Sequence, residues 1–133
     1  MKIIVDTSIW SLALRRRAVV GDGFVSTLRD LIEGDRAVML GCIRQEILSG
    51  IRSTEQFTLL RDRLRAFPDE PLFFRDYERA AEFFNVCRKR GIQGSTTDFL
   101  ICAAAVEREH AIFTADDDFK RFQRALPVAL FKP

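Results

Sequence analysis

Four acidic positions, widely separated along this 133-residue chain, have the side chains needed for chemistry on a phosphate group. Asp6 ends the first apolar run of the sequence, and Asp116 ends the apolar run 111–115 and opens a stretch of three consecutive aspartates. Glu46 and Asp98 lie between them, each followed at once by apolar residues. Carboxylates that share one cleft repel one another, and a hard divalent cation with oxygen ligands, above all Mg²⁺, relieves that repulsion. These residues therefore predict metal-assisted phosphate chemistry.

Each acid also has an ordinary structural explanation when it is taken alone. Asp6 and Asp118 can cap helices, Asp98 suits a helix N-terminus, and Glu46 can be solvated. The apolar residues around Glu46 and Asp98 argue against a set of coincidences, because a carboxylate among buried side chains needs a partner or a metal. We therefore treat the four acids as one predicted site.

Alternating strand and helix patterns predict how these acids are positioned. Five apolar runs predict strands over residues 2–5, 37–40, 72–74, 111–114 and 128–131. Helices are predicted over residues 8–16, 22–33, 42–49, 76–90 and 96–109, with another between Ser53 and Pro68 and a short one from Asp117. Strands separated by helices form a parallel sheet, and such sheets place ligands at the carboxyl ends of their strands. The acids are expected at that edge.

Composition limits the classes of protein that fit. The length and a hydrophobic fraction of 47% predict a single domain over residues 1–133. No apolar stretch approaches the about 20 residues that span a bilayer, and the opening residues follow a strand pattern rather than a signal-peptide pattern. Three cysteines without a close pair favour neither a disulfide framework nor a zinc site. We therefore expect a cytoplasmic protein with no membrane partner.

Two basic clusters stand out against a net charge of only +2. Arg15, Arg16 and Arg17 close the first predicted helix, and residues 88–90 (Arg-Lys-Arg) close a later one. Cations stabilise helix C-termini, and beside a metal site they also suit a phosphodiester backbone. The sequence leaves both roles open.

Four segments together resemble the PIN-domain proteins, in particular the VapC-type toxins of bacterial type II toxin–antitoxin pairs. They are DTSIW (6–10), EILSGIR (46–52), TDFLICAA (97–104) and FTADDDF (113–119). The resemblance spans nearly the whole chain in order. The third segment departs slightly, with Phe99 and Cys102 where smaller residues are commoner.

The resemblance implies a three-layer α/β/α sandwich with a central, mostly parallel sheet of four or five strands. It implies an endoribonuclease dependent on Mg²⁺, with Mn²⁺ as the alternative, whose catalytic and metal-binding residues are Asp6, Glu46, Asp98 and Asp116. Asp118 competes with Asp116 for the fourth place and otherwise supports it. Thr7 and Thr114 are supporting hydroxyls in this interpretation, or strand-end caps.

The expected mechanism is hydrolysis by a metal-activated water, which leaves 5′-phosphate and 3′-hydroxyl ends. Glu46 and Asp98 are the expected proton acceptors. A two-histidine ribonuclease mechanism is excluded, because His110 is the only histidine. One metal or two, and the RNA that is cut, are not decided by the sequence.

The resemblance also implies partners: an RNA substrate, a VapB-type antitoxin and a second copy of the chain. Trp10 and the helix around residues 57–64 are the predicted lining of a groove for the antitoxin. Two alternatives stay open, a non-catalytic PIN-like RNA-binding module and another magnesium-dependent phosphatase or nuclease. A haloacid-dehalogenase-like enzyme would need an aspartate where Ser8 stands, and no glycine-rich phosphate loop is present.

Overall fold

A computed structural model describes residues 1–14 and 23–133. Helices flank a parallel sheet, as predicted. The first basic cluster, Arg15 to Arg17, and the predicted helix cap Asp22 lie outside the described residues.

The sheet of the described residues has three parallel strands, β1 (Ile3–Val5), β2 (Ala37–Val38) and β3 (Ala111–Phe113). Their order is β2-β1-β3, and Ile3 pairs with Ala37 on one side and with Ala111 on the other. All three residues of β1 are fully buried, and those of β3 are at most 7% exposed. Short, wholly apolar strands are expected where a parallel sheet is covered on both faces.

Seven helices are present in the described ranges. They are α1 (Thr7–Leu14), α2 (Phe24–Glu33), α3 (Gly41–Leu48), α4 (Thr54–Leu64), α5 (Phe74–Lys89), α6 (Thr96–Arg108) and α7 (Asp118–Phe122). Their bounds agree with the predicted helices to within a few residues. Local capping explains the agreement, since Ser53 accepts a hydrogen bond from the Gln56 amide and Gly34 follows the last residue of α2.

The outer parts of the sheet differ from the sequence prediction. The predicted strand over residues 72–74 is wrong, because the Asp76 carboxylate accepts the Phe73 N–H at 2.8 Å and α5 begins at Phe74. In place of that strand, Met39, the residue after β2, forms a single parallel bridge with Asp69. The predicted last strand is likewise reduced to one bridge, between Ile112 and Leu130. Short pairings at both edges therefore replace two of the five predicted strands.

The core lies between the sheet and the helices, with α5 and α6 packed along each other. A buried ion pair joins these two helices: Arg108 of α6 donates to Asp76 of α5 at 2.5 and 2.8 Å.

Trp10 is 3% exposed, packs edge-to-face on Phe67 and donates its indole N–H to the Val5 carbonyl. The prediction that Trp10 lines a surface groove is therefore wrong.

Among the described residues, none of the helices is both long enough and apolar enough to cross a lipid bilayer.

Candidate metal centre

The carboxyl ends of β1 and β3 lie side by side, and Asp6 is the first residue beyond β1. Its amide donates to the Phe113 carbonyl at 2.9 Å, which continues the strand pairing by one residue. Its side chain is held by two hydroxyls, since Ser8 and Thr114 both donate to Oδ2, at 2.9 and 2.8 Å. Asp6 is only 4% exposed. A buried carboxylate is thus fixed in orientation at the end of the central strand.

Asp116 lies in the loop that follows β3. Its amide donates to Thr114 Oγ1 at 3.0 Å, and its Oδ1 accepts the Asp118 amide at 2.9 Å. The two aspartates that follow it are engaged elsewhere: Asp118 pairs with Arg121, and the exposed Asp117 pairs with Lys120 at 3.3 Å. Of the three consecutive acids, Asp116 is the one without an ion pair among the described residues.

Asp98 is the third residue of α6 and belongs to a reciprocal capping box. The Ser95 hydroxyl accepts the Asp98 amide at 3.0 Å, and the Ser95 amide donates to Asp98 Oδ2 at 3.1 Å. Burial raises the pKa of Asp98 above its ordinary value, the hydrogen bonds from Ser95 lower it, and the charges of Asp6 and Asp116 raise it further. The net shift of the Asp98 pKa is upward, with burial as its largest cause and repulsion from Asp6 and Asp116 as a smaller one.

Glu46 reaches the same edge of the sheet from α3. Thr7, the first residue of α1, donates its hydroxyl to Glu46 Oε1 at 2.6 Å. Burial, and then the nearby Glu46, raise the pKa of Cys42 to about 11. Both causes favour the protonated thiol of Cys42 over the thiolate.

One pattern is common to the four acids. In the described parts of the chain, each accepts its hydrogen bonds through one carboxylate oxygen, and the second oxygen accepts none. The accepting oxygens are Asp6 Oδ2, Glu46 Oε1, Asp98 Oδ2 and Asp116 Oδ1. The acids thus present free oxygens while their orientation is fixed. Across residues 1–14 and 23–133, no three His, Cys, Asp or Glu side chains are drawn together as they stand into a group that could hold a metal ion.

Sequence reasoning missed two residues that organise this site, Ser8 and Ser95. Ser8 Oγ donates to Asp6 and accepts the Ala115 amide at 2.9 Å, a contact between residues 107 positions apart that no local pattern reveals. The capping box of Ser95 and Asp98 was visible as serine followed three residues later by an acid. His110 lies at the opposite end of β3, where its Nε2 is 3.3 Å from Glu70 Oε2.

A family model described as the PIN domain matches residues 3–125 of the chain. This protein belongs to the PIN domain family. The match covers the strands, the capped helix α6 and all four acids, and it confirms the fold class expected from the sequence. No curated protein sequence matches the chain significantly.

Several solved structures share this PIN fold. FitAcB from Neisseria gonorrhoeae is similar with a TM-score of 0.78 and 21% identity, over 98% of this chain and 97% of that one. VapBC2 from Rickettsia felis, solved bound to a DNA fragment from its promoter, has a TM-score of 0.78 and 18% identity, over 98% of each chain. VapBC-1 from nontypeable Haemophilus influenzae has a TM-score of 0.74 and 13% identity, over 99% of this chain and 98% of that one. At these identities the likeness shows the fold.

Proposed function

We propose that this PIN domain is a divalent-metal-dependent endoribonuclease toxin of the VapC type, which inhibits growth by cutting RNA. PIN domains are generally nucleases and typically use divalent metals. The observation that carries the proposal is the common arrangement of the four acids, each anchored through one oxygen with the other left free. Carboxylates held in this way suit a hard cation, because the hydroxyls and amides that donate to one oxygen of each acid orient the other oxygen for metal binding.

Asp6, Glu46, Asp98 and Asp116 are the proposed ligands of Mg²⁺, with Mn²⁺ as the alternative. The raised pKa of Asp98 supports this assignment. A bound cation would offset both the cost of burying a charged carboxylate and the repulsion from the neighbouring acids. A divalent cation bound there would lower the pKa of a water molecule and offset negative charge on the scissile phosphate. Thr7, Ser8, Thr114 and Ser95 are proposed as the residues that keep the carboxylates in place.

The protein groups then have distinct tasks in hydrolysis. Asp6, at 4% exposure, is the most buried of the four acids and is held by two hydroxyls, which suits a fixed ligand. Glu46 and Asp98 each keep one carboxylate oxygen that accepts no hydrogen bond from the described residues, so we assign to one of these two acids the proton released by the attacking water. Cleavage by water leaves 5′-phosphate and 3′-hydroxyl ends, whereas attack by the ribose 2′-hydroxyl would leave a cyclic phosphate.

We also propose a cognate VapB-type antitoxin as the partner that neutralises the toxin, a homodimer as the assembled form, and the cytoplasm as the place of action. The antitoxin is supported by the similar structures, which are complexes of PIN toxins with antitoxins. With Trp10 in the core, a docking groove has to be formed by other residues.

The test compares native protein with Asp6→Asn and with the exposed control Asp117→Asn. Native protein and Asp117→Asn are expected to cut RNA in Mg²⁺ and to show a heat of binding on Mg²⁺ titration, while Asp6→Asn does neither. Mapping the cleaved ends should show 5′-phosphates. A 2′,3′-cyclic phosphate would refute the hydrolytic mechanism. No heat on Mg²⁺ titration of native protein, together with no cleavage of RNA, would favour the binding-module alternative.

The fourth ligand is tested by a second matched pair, Asp116→Asn and Asp118→Asn. We expect loss of Mg²⁺ binding in Asp116→Asn and retention in Asp118→Asn, because Asp118 is paired with Arg121 and supports Asp116 through its amide. The opposite result would move the metal site toward Asp118.

A further inference from the structure

A cavity lies by the loop that leads into the Ser95 capping box, since Gly94, which precedes Ser95, and Phe99, which follows Asp98, both line it. It has a volume of about 360 Å³ and is enclosed by the end of α5, the loop of residues 91–94 and the start of α6. Gly94, in its wall, is followed directly by Ser95, which holds Asp98. The volume falls within the range of small-ligand sites, about 300–1,000 Å³.

The lining combines an aromatic ring with a cation. Phe84 and Arg88 are four residues apart on α5 and therefore share one face of the helix, and both line the cavity. Phe99 supports the Phe84 ring edge-to-face, with centroids 5.6 Å apart. Gln93 adds a side-chain amide at the rim. A ring for stacking, a cation and an amide are the groups that bind a base and its phosphate.

Arg88 differs from its neighbours in the basic cluster at the end of α5. The Arg90 side chain donates to the Arg124 carbonyl at 3.0 Å and so has a structural task. Within the two described segments of the chain, the Arg88 side chain forms no hydrogen bond or ion pair. Lys89 is exposed and does not line the cavity. Only Arg88 of the three presents an unused cation to this cavity.

We infer that this cavity is a nucleotide-binding subsite of the RNA substrate, in which Phe84 stacks on a base and Arg88 contacts an adjacent backbone phosphate. The inference rests on the proposed ribonuclease function and adds to it where the substrate strand lies, along the Ser95 side of the acids. The carboxylates of the proposed metal site repel RNA, so a phosphate contact from Arg88 offsets part of that repulsion.

The experiment measures binding of a short fluorescein-labelled single-stranded RNA by anisotropy over a range of salt concentrations. It uses the full chain in Mg²⁺ with the cleavage-silencing Asp6→Asn change. Arg88→Gln is compared with Lys89→Gln, which removes the same charge one residue away and outside the cavity. Arg88→Gln should weaken binding about fivefold near 0.1 M salt and reduce the steepness of the log–log salt dependence by about 0.7. Lys89→Gln should leave both unchanged.

Phe84→Leu supplies an independent readout. Loss of stacking should weaken binding by about fivefold or more while the salt dependence stays the same. Its folding is checked by circular dichroism, and the exposed Arg88→Gln change keeps the test decisive if the leucine variant is unstable. Equal effects of Arg88→Gln and Lys89→Gln, or no effect of either, would overturn the subsite.

Cleavage kinetics separate this inference from the proposed function. In the otherwise native chain, Arg88→Gln should raise KM and retain kcat, since the contact is made equally in the bound and transition states. Native protein that cuts RNA while Arg88→Gln behaves identically would refute the subsite and leave the ribonuclease proposal standing. Native protein that cuts no RNA would refute both.

Discussion

Thr114 joins the ends of two neighbouring strands, because its hydroxyl donates to Asp6 Oδ2 at 2.8 Å. The Thr114 hydroxyl oxygen in turn accepts a hydrogen bond from the Asp116 amide at 3.0 Å. One side chain after β3 therefore orients an acid that follows β1 and positions a second acid in its own loop. A hydroxyl is suited to this place because it donates to one group and accepts from another.

Replacing Thr114 with valine tests this link with little change in shape. Thr114→Val should reduce the free energy of unfolding by about 2 kcal/mol, since the largely buried Asp6 loses a charge-assisted hydrogen bond. RNA cleavage should fall about tenfold or more, as is usual when a residue that orients metal ligands is removed. Urea unfolding and initial cleavage rates measure the two effects. Thr114→Ser restores the hydroxyl and should recover most of both; failure to do so would contradict the role.

Asp98 predicts an unusual pH dependence of stability in the absence of metal. Its pKa is raised in the folded state, so the folded protein binds more protons than the unfolded chain between the two pKa values. Its contribution is therefore most favourable in acid and is lost as pH rises through the folded pKa. Asp98→Asn should stabilise the metal-free protein at pH 7 and progressively less toward pH 4.

Chemical denaturation with and without Mg²⁺ at several pH values measures this effect. Mg²⁺ should reverse the order at pH 7, because the native carboxylate gains a cation that the amide cannot hold as well. An Asp98→Asn variant that is destabilised at neutral pH without metal would contradict the upward shift.

Asp76 predicts the opposite dependence. Arg108, which donates two hydrogen bonds to it, holds the pKa of this buried carboxyl below its ordinary value. Its stabilisation is present at neutral pH and is lost as pH falls below the unfolded value of 3.8. Asp76→Asn should cost about 3 kcal/mol at pH 7, because Arg108 loses its closest counter-charge and keeps only the longer ion pair with Glu70, at 3.7 Å.

The matched control for Asp76→Asn is Asp62→Asn, which breaks an exposed pair with Arg61 at 3.1 Å. That change should alter stability by less than about 1 kcal/mol. Equal effects of the two substitutions in urea unfolding would show that the α5–α6 ion pair contributes no more to the free energy of unfolding than an exposed pair.

Gly94 is packed so closely that a larger side chain at this position should destabilise the protein. A Cβ at this position would lie 2.6 Å from Phe122 Cζ and 3.0 Å from Phe99 Cζ. Gly94→Ala should therefore destabilise the protein by about 1–3 kcal/mol through overpacking. Gly41→Ala, at the first position of α3 with its nearest contact at 3.4 Å, should be neutral or stabilising. Thermal unfolding of both variants checks the contrast in sign.

Local patterns in the sequence determined most of the elements. The apolar runs before Asp6 and Asp116 are strands, and capping signals such as Ser53 begin helices as predicted, because caps act over three or four residues. The same patterns failed at residues 72–74, where an apolar run resembles a strand but Asp76 caps a helix that starts at Phe74. Apolar content alone does not distinguish a strand from a helix start.

The site divides in the same way. Residue types, their order along the chain and the resemblance to PIN-domain proteins led to the prediction that Asp6, Glu46, Asp98 and Asp116 form one acidic site, and this stays a prediction. Only the tertiary structure decided which oxygens are anchored, that Ser8 serves Asp6, and that Trp10 is buried. Those facts depend on contacts between residues up to 108 positions apart, which no local periodicity encodes.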